Sequence, residues 1–145
     1  MDFLLIYDKL IMIIIVSKKE LSMRFYITNG HDNQSRINKI VDILEAKGHM
    51  RTFAWSDHED VLHGDEASMN TVAMNEVNAI RDAELVICML PNKKSAHVAL
   101  GIALATRMNK RIFVWSETGD EFQSGDNAFI FYFHPSIERI EGPFA

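Results

Sequence analysis

Leu85-Val86-Ile87-Cys88-Met89-Leu90 is an unbroken run of six apolar residues, closed by Pro91-Asn92-Lys93-Lys94. The run is too short for a helix of ordinary length and shows no polar alternation. That pattern predicts a strand buried on both faces, as in a parallel sheet. Beyond the turn stands Ser95-Ala96-His97-Val98-Ala99-Leu100-Gly101-Ile102-Ala103-Leu104-Ala105. This Ala-rich segment predicts a helix over Ala96–Met108. A buried strand, a short turn and a helix form half of a βαβ unit. In an open α/β sheet, the carboxyl end of such a strand is where a site is built.

The flanking sequence repeats the same alternation. Arg24–Thr28 reads as a strand and ends in the turn pair Asn29-Gly30. Ser35–Lys47 carries Ile37, Ile40, Val41 and Leu44 at helical spacing, with Asp32 or Asn33 as a start cap and Gly48 as a stop. His49–Trp55 predicts the next strand, Ser56–Ser68 a polar acidic loop, and Met69–Arg81 a helix with Val72, Val77 and Ile80 inward. Arg111–Trp115 and Ala128–Phe133 predict two further strands. The expectation is an α/β fold: a doubly wound, mainly parallel five-stranded sheet, Rossmann- or flavodoxin-like, with helices on both faces. All strand-end loops then share one rim.

Composition bounds the rest. The chain has 145 residues, enough for one domain with a real core. Its net charge of −5 offers no basic footprint for a nucleic-acid partner. The one cysteine, Cys88, lies inside an apolar strand and predicts a packing residue rather than a disulfide or zinc ligand. Residues 1–22 include an apolar stretch, Phe3 to Val16, that is too short for a stable membrane span. They also lack the marks of a signal peptide. We read 1–22 as an extension outside the core and 23–145 as a single domain, in a cytoplasmic setting.

Three segments carry chemistry-bearing residues. Thr28-Asn29-Gly30-His31-Asp32-Asn33-Gln34-Ser35-Arg36 joins a strand to a helix start, where free backbone N–H groups suit a phosphate or ribose hydroxyls. Taken alone it also reads as a capped turn, and it is neither a dinucleotide fingerprint nor a Walker loop. Ser95 sits at a helix start, where its hydroxyl caps the helix or meets a phosphate oxygen. His97 is open to a substrate role or a structural one. His58, Glu59, Asp60, His63 and Asp65 share one loop, but their spacing fits no zinc pattern, so no metal and no cofactor are expected.

The Ser95–Ala105 segment resembles the glycosidic-bond signature of the nucleoside 2-deoxyribosyltransferase superfamily, which includes deoxynucleoside 5′-monophosphate N-glycosidases. Members there read roughly small-x-x-x-Glu-Leu-Gly-x-Ala. Here Leu100-Gly101 and the Ala103/Ala105 spacing match, while Ala99 fills the Glu slot. The resemblance spans about Arg24 to Trp115, and its motifs are moderately specific. It implies that position 99 is the catalytic slot and that Glu76, ahead of Ala83-Glu84, is an acid or base partner. It implies that Tyr26, Asn29 and Gly30 hold the sugar or phosphate, beside which Ser95 and His97 are further candidate substrate contacts. It also implies a homo-oligomer.

The activity so implied is cleavage or exchange at an N-glycosidic bond of a nucleoside or nucleoside 5′-monophosphate. Such a reaction passes through an oxocarbenium-like state that a carboxylate stabilises or attacks, and a methyl group does neither. Two explanations for Ala99 stand. In one, Ala replaces Glu and inactivates an enzyme, which the otherwise intact frame favours. In the other, the protein is a binding-only relative. Two alternatives to the leading function are an NAD-cleaving Toll/interleukin-receptor-like glycohydrolase and a catalytically silent nucleotide-binding sensor or interaction module.

Overall fold

The computed structural model describes residues 22–28, 34–54, 64–126 and 128–144. Five strands form one sheet: β1 (Arg24–Ile27), β2 (Met50–Arg51), β3 (Leu85–Met89), β4 (Arg111–Ser116) and β5 (Ile137–Glu141). Among the described residues, three helices accompany them: α1 (Gln34–Ala46), α2 (Glu66–Asp82) and α3 (Lys93–Ala105). Two 3-10 turns, Asp120–Phe122 and Ile130–Phe133, lie between β4 and β5. The strand order is β2-β1-β3-β4-β5 and every pairing is parallel. The chain reverses direction across the sheet between β1 and β3, the switch point of a doubly wound fold.

Side-chain alternation along the strands divides the core. Phe25, Ile27, Leu85, Ile87, Met89, Phe113 and Trp115 face α1, where they meet Ile37, Ile40, Val41 and Leu44. Tyr26, Val86, Cys88, Ile112 and Val114 face α2 and α3, where they meet Val72, Ile80, Ala99, Leu100 and Ala103. All of β3 is buried, as its unbroken apolar run requires. Cys88 is a fully buried packing residue, and burial pushes its thiol pKa up.

Several boundaries differ from the sequence expectation. Ala128–Phe133 is no strand: Ile130–Phe133 is a 3-10 turn, and the fifth strand is Ile137–Glu141. The second strand, expected over His49–Trp55, is only Met50–Arg51 within the described residues. Helix α2 starts at Glu66, because Asp65 caps it by accepting from the Ser68 N–H at 2.8 Å. Val77 is 46% exposed rather than inward. It lies about 140° around the helix from Val72, off the stripe that Ala79 and Ile80 complete. Helix α3 runs from Lys93 and stops at Ala105, short of Met108. Its cap is Asn92, whose Oδ1 accepts from the Ser95 N–H at 3.3 Å, so Ser95 is not the cap. Asn109 holds a positive φ of 59° in the turn that follows the helix. Residues 1–21, positions 29–33 and positions 55–63 lie outside the described residues, and with them Asn29, Gly30, His31, Asp32, Asn33, His58, Glu59, Asp60 and His63.

Candidate active site

The carboxyl ends of β1 and β3 are tied together at the switch point. Thr28 donates its N–H to the Ile87 carbonyl at 2.9 Å, and its Oγ1 accepts from the Met89 N–H at 2.8 Å. This fixes the end of β1 against the entry to α3. On the α2–α3 face, Tyr26 is buried, and its hydroxyl donates to Glu76 Oε1 at 2.7 Å. Burial is the main reason that the Tyr26 phenol pKa is strongly raised, and the Glu76 carboxylate adds to it. The phenol is therefore a fixed proton donor. Phe53 leans over it, with ring centroids 6.5 Å apart.

Ala99 is fully buried in the cluster that contains Tyr26. Ser95 lies one turn earlier on α3, about 40° around the helix from Ala99, so both share a face. Tyr26, Glu76, Ser95 and Ala99 thus belong to the β1–α2–α3 side of the sheet. Asn29 and Gly30 lie outside the described residues. Beside this group, a cavity of about 490 Å³ runs between the β1–β2 edge and α2. Arg51, Thr52, Phe53, Asn75 and Asn78 line it.

His97 is placed elsewhere. It lies about 160° around α3 from Ala99. Its Nε2 is 2.9 Å from the Tyr132 hydroxyl, and its ring stacks on Phe129 at 3.6 Å and 11°. Burial, then the Lys93 ammonium, lowers its pKa. A separate cavity of about 390 Å³ opens here, with Lys93, His97, Glu121, Phe129 and Tyr132 in its wall. Sequence reading missed Glu121 and Tyr132 as neighbours of His97, since the segment Phe129–Phe133 reads as a strand.

On the α1 face of the rim, Arg36 stands in the first turn of α1. Its guanidinium lies 3.2 Å from Glu117 and 5.5 Å from the ring centroids of both Trp115 and Phe144. Among the described residues, no group of three or more His, Cys, Asp or Glu side chains could hold a metal ion. No described helix is long and apolar enough to cross a membrane.

No protein-family model matches this chain, and no curated protein matches it. Among solved structures it is similar to the Clostridium botulinum CMP N-glycosidase BcmB, with a TM-score of 0.53 and 18% sequence identity. The match covers 81% of this chain and 88% of that one. Likeness at this identity speaks for the fold: both chains share an α/β architecture, which here is an all-parallel, five-stranded sheet.

Proposed function

We propose that the domain binds a nucleoside or nucleoside 5′-monophosphate at the rim beside β1 and α3, in the architecture of an N-glycosidase. Position 99 is the slot of the bond-cleaving carboxylate, and this chain, with Ala99 there, holds its ligand without cleaving it. The observation that carries the reading is the Tyr26–Glu76 hydrogen bond on the same buried face as Ala99. It supplies a fixed phenol and a carboxylate on the side of the sheet where position 99 carries only a methyl group. The structural neighbour is an enzyme that acts on CMP, which supports the same ligand class.

The roles follow from the chemistry. Departure of the base leaves positive charge on the anomeric carbon, and a Glu at 99 would attack or stabilise that carbon. Glu76 would exchange the proton that the leaving base requires, with Tyr26 fixing its carboxylate. Ser95, with Asn29 and Gly30, would hold sugar and phosphate at the start of α3. Asn75 and Asn78 would address the edge of the base. Val77 and Val98, both exposed on α2 and α3, would give a homo-oligomer an apolar face.

One observation favours the sensor reading as well. Ala99 has no exposure and sits among Tyr26, Ala96, Leu100 and Ala103, a close-packed setting suited to a native alanine. Both readings require nucleotide binding by the chain as it stands. Calorimetric titration with CMP, the other nucleoside monophosphates and the deoxynucleosides tests that requirement. We expect one-site binding of at least one ligand, weakened about tenfold or more by Ser95→Ala. Failure of every ligand to bind would overturn both readings.

A further inference from the structure

The connection from β4 to β5 packs on the α2–α3 face without an α-helix. Its two 3-10 turns place Phe122, Phe129 and Tyr132 against the core. Between them and α3 lies the cavity of about 390 Å³ that contains His97. That volume is in the range of small-molecule sites, roughly 300–1,000 Å³. The cavity also stands at the productive end of the sheet: Lys93 opens α3 just after β3, and Asp120 follows the end of β4. Crevices outside the carboxyl ends of parallel strands are where open α/β folds bind ligands.

The wall is ordered by charge. His97 lies between Lys93, whose ammonium it feels, and Tyr132, to which it is hydrogen bonded. Tyr132 in turn feels the carboxylate of Glu121, which the Ser116 hydroxyl holds in place. The sequence along the wall is therefore ammonium, imidazole, phenol, carboxylate. Burial lowers the pKa of His97 and raises that of Tyr132 to about 12, so both middle groups are neutral near pH 7. Phe129 supplies an apolar side, stacked on His97 and edge-on to Tyr132 with centroids 5.0 Å apart. Packing accounts for the three rings. It does not account for an ammonium and carboxylates that line one concave opening.

We infer that this cavity is a second small-molecule site and that its ligand is a small zwitterion, of which a free α-amino acid is the simplest. The ligand's carboxylate faces Lys93, its ammonium faces Glu121 and Asp120, and its side chain lies against Phe129. Each end makes a charge-assisted hydrogen bond, the kind that gives both strength and orientation. A bare amine would satisfy only the carboxylate end, and a bare acid only Lys93. The site lies on the opposite flank of α3 from Tyr26 and Glu76, so it stands or falls apart from the nucleotide reading.

The test is calorimetric titration of the full chain with each of the twenty proteinogenic L-amino acids. The best binder is then compared with its decarboxylated amine and its deaminated acid. We expect one-site binding of at least one amino acid, and a loss of about tenfold or more for each truncated form. Lys93→Met, at an exposed position, should bring the amino acid down to the affinity of its amine. Asp120→Asn should weaken both the amino acid and the amine and leave the acid unchanged. Tyr132→Phe, which keeps the ring in the aromatic cluster, should weaken binding while circular dichroism stays that of the parent. Absence of saturable binding by all twenty amino acids would overturn the inference. So would equal affinity for the three forms, or a preference that Lys93→Met leaves intact.

Discussion

The Tyr26 hydroxyl donates to Glu76 Oε1 across 2.7 Å, joining the first strand to the middle of α2. The phenol comes from a buried strand and the carboxylate from a half-buried helix position. Tyr26→Phe would strip Glu76 of this donor while keeping the packed ring. We expect a loss of about 1–2 kcal/mol in urea denaturation at neutral pH. The pair also sets an alkaline limit. The folded-state pKa of Tyr26 lies well above its ordinary 10.0, because burial and then Glu76 disfavour the phenolate. The folded state therefore holds the proton more tightly than the unfolded chain does. The stability this contributes is complete below pH 10 and is lost as pH rises beyond it. Cys88, raised by burial from 9.0, adds a decline of the same sign from about pH 9. Stability measured from pH 8 to 11 should fall less steeply in Tyr26→Phe than in the parent. Equal slopes would contradict the assignment.

The two histidines with resolved shifts set the acid side. Burial comes first in lowering both, followed by Lys47 for His49 and Lys93 for His97. His49 Nδ1 accepts the Met23 N–H at 3.0 Å, which needs that nitrogen unprotonated. A depressed folded-state pKa contributes stability that is present above the ordinary 6.5 and is lost as pH falls below it. NMR titration should give midpoints below 6.5 for both rings. Lys93→Met should raise the His97 midpoint part of the way and leave that of His49 in place. A midpoint above 6.5 for either would contradict the neutral rings described here.

Lys110 closes the end of α2 from outside that helix. Its Nζ donates to the Ile80 carbonyl at 2.6 Å, to the Arg81 carbonyl at 2.8 Å and to Thr106 Oγ1 at 3.2 Å. The last carbonyls of a helix have no partners within it, and a cation there also meets the negative end of the helix dipole. Lys110→Met should cost about 1 kcal/mol, read as a lower urea midpoint at unchanged slope. An unchanged midpoint would show that water satisfies these carbonyls equally well.

Two elements with clear hydrophobic patterns, one continuous and one periodic, were legible in the sequence. Leu85–Met89 has no polar residue to place on an exposed face, and it forms the wholly buried central strand. Ile37, Ile40, Val41 and Leu44 are the buried residues of α1, as their spacing requires. The fifth strand escaped because Ile137-Glu138-Arg139-Ile140-Glu141 has its two apolar residues three apart, which masks a strand. The run Phe129–Phe133 instead has strand-like composition, yet its aromatics pack as a 3-10 turn, with Tyr132 inward and Ile130 exposed. Composition alone decided neither its backbone nor which of its apolar residues are buried.

The candidate site was legible in pieces. The pairing of Tyr26 with Glu76 spans 50 positions and rests on which face of β1 meets α2. Sequence offered Glu76 only through family resemblance, with no local signal for its partner. Proximity in sequence sets His97 beside Ser95 and Ala99. On a helix, a two-residue offset from Ala99 turns a side chain to the far flank, and the structure places His97 with Tyr132 instead.

The most direct test of the central claim is to put a carboxylate at position 99 and look for free base. Ala99→Glu is incubated with nucleoside 5′-monophosphates, CMP among them, and with deoxynucleosides, and release is followed by chromatography. Ala99→Gln serves as the uncharged control of equal size, and circular dichroism checks that both variants fold. The account predicts that Ala99→Glu releases base at least about 10³-fold faster than the parent chain and Ala99→Gln, on at least one substrate. A folded Ala99→Glu variant that binds nucleotide yet releases no base from any of them would contradict it.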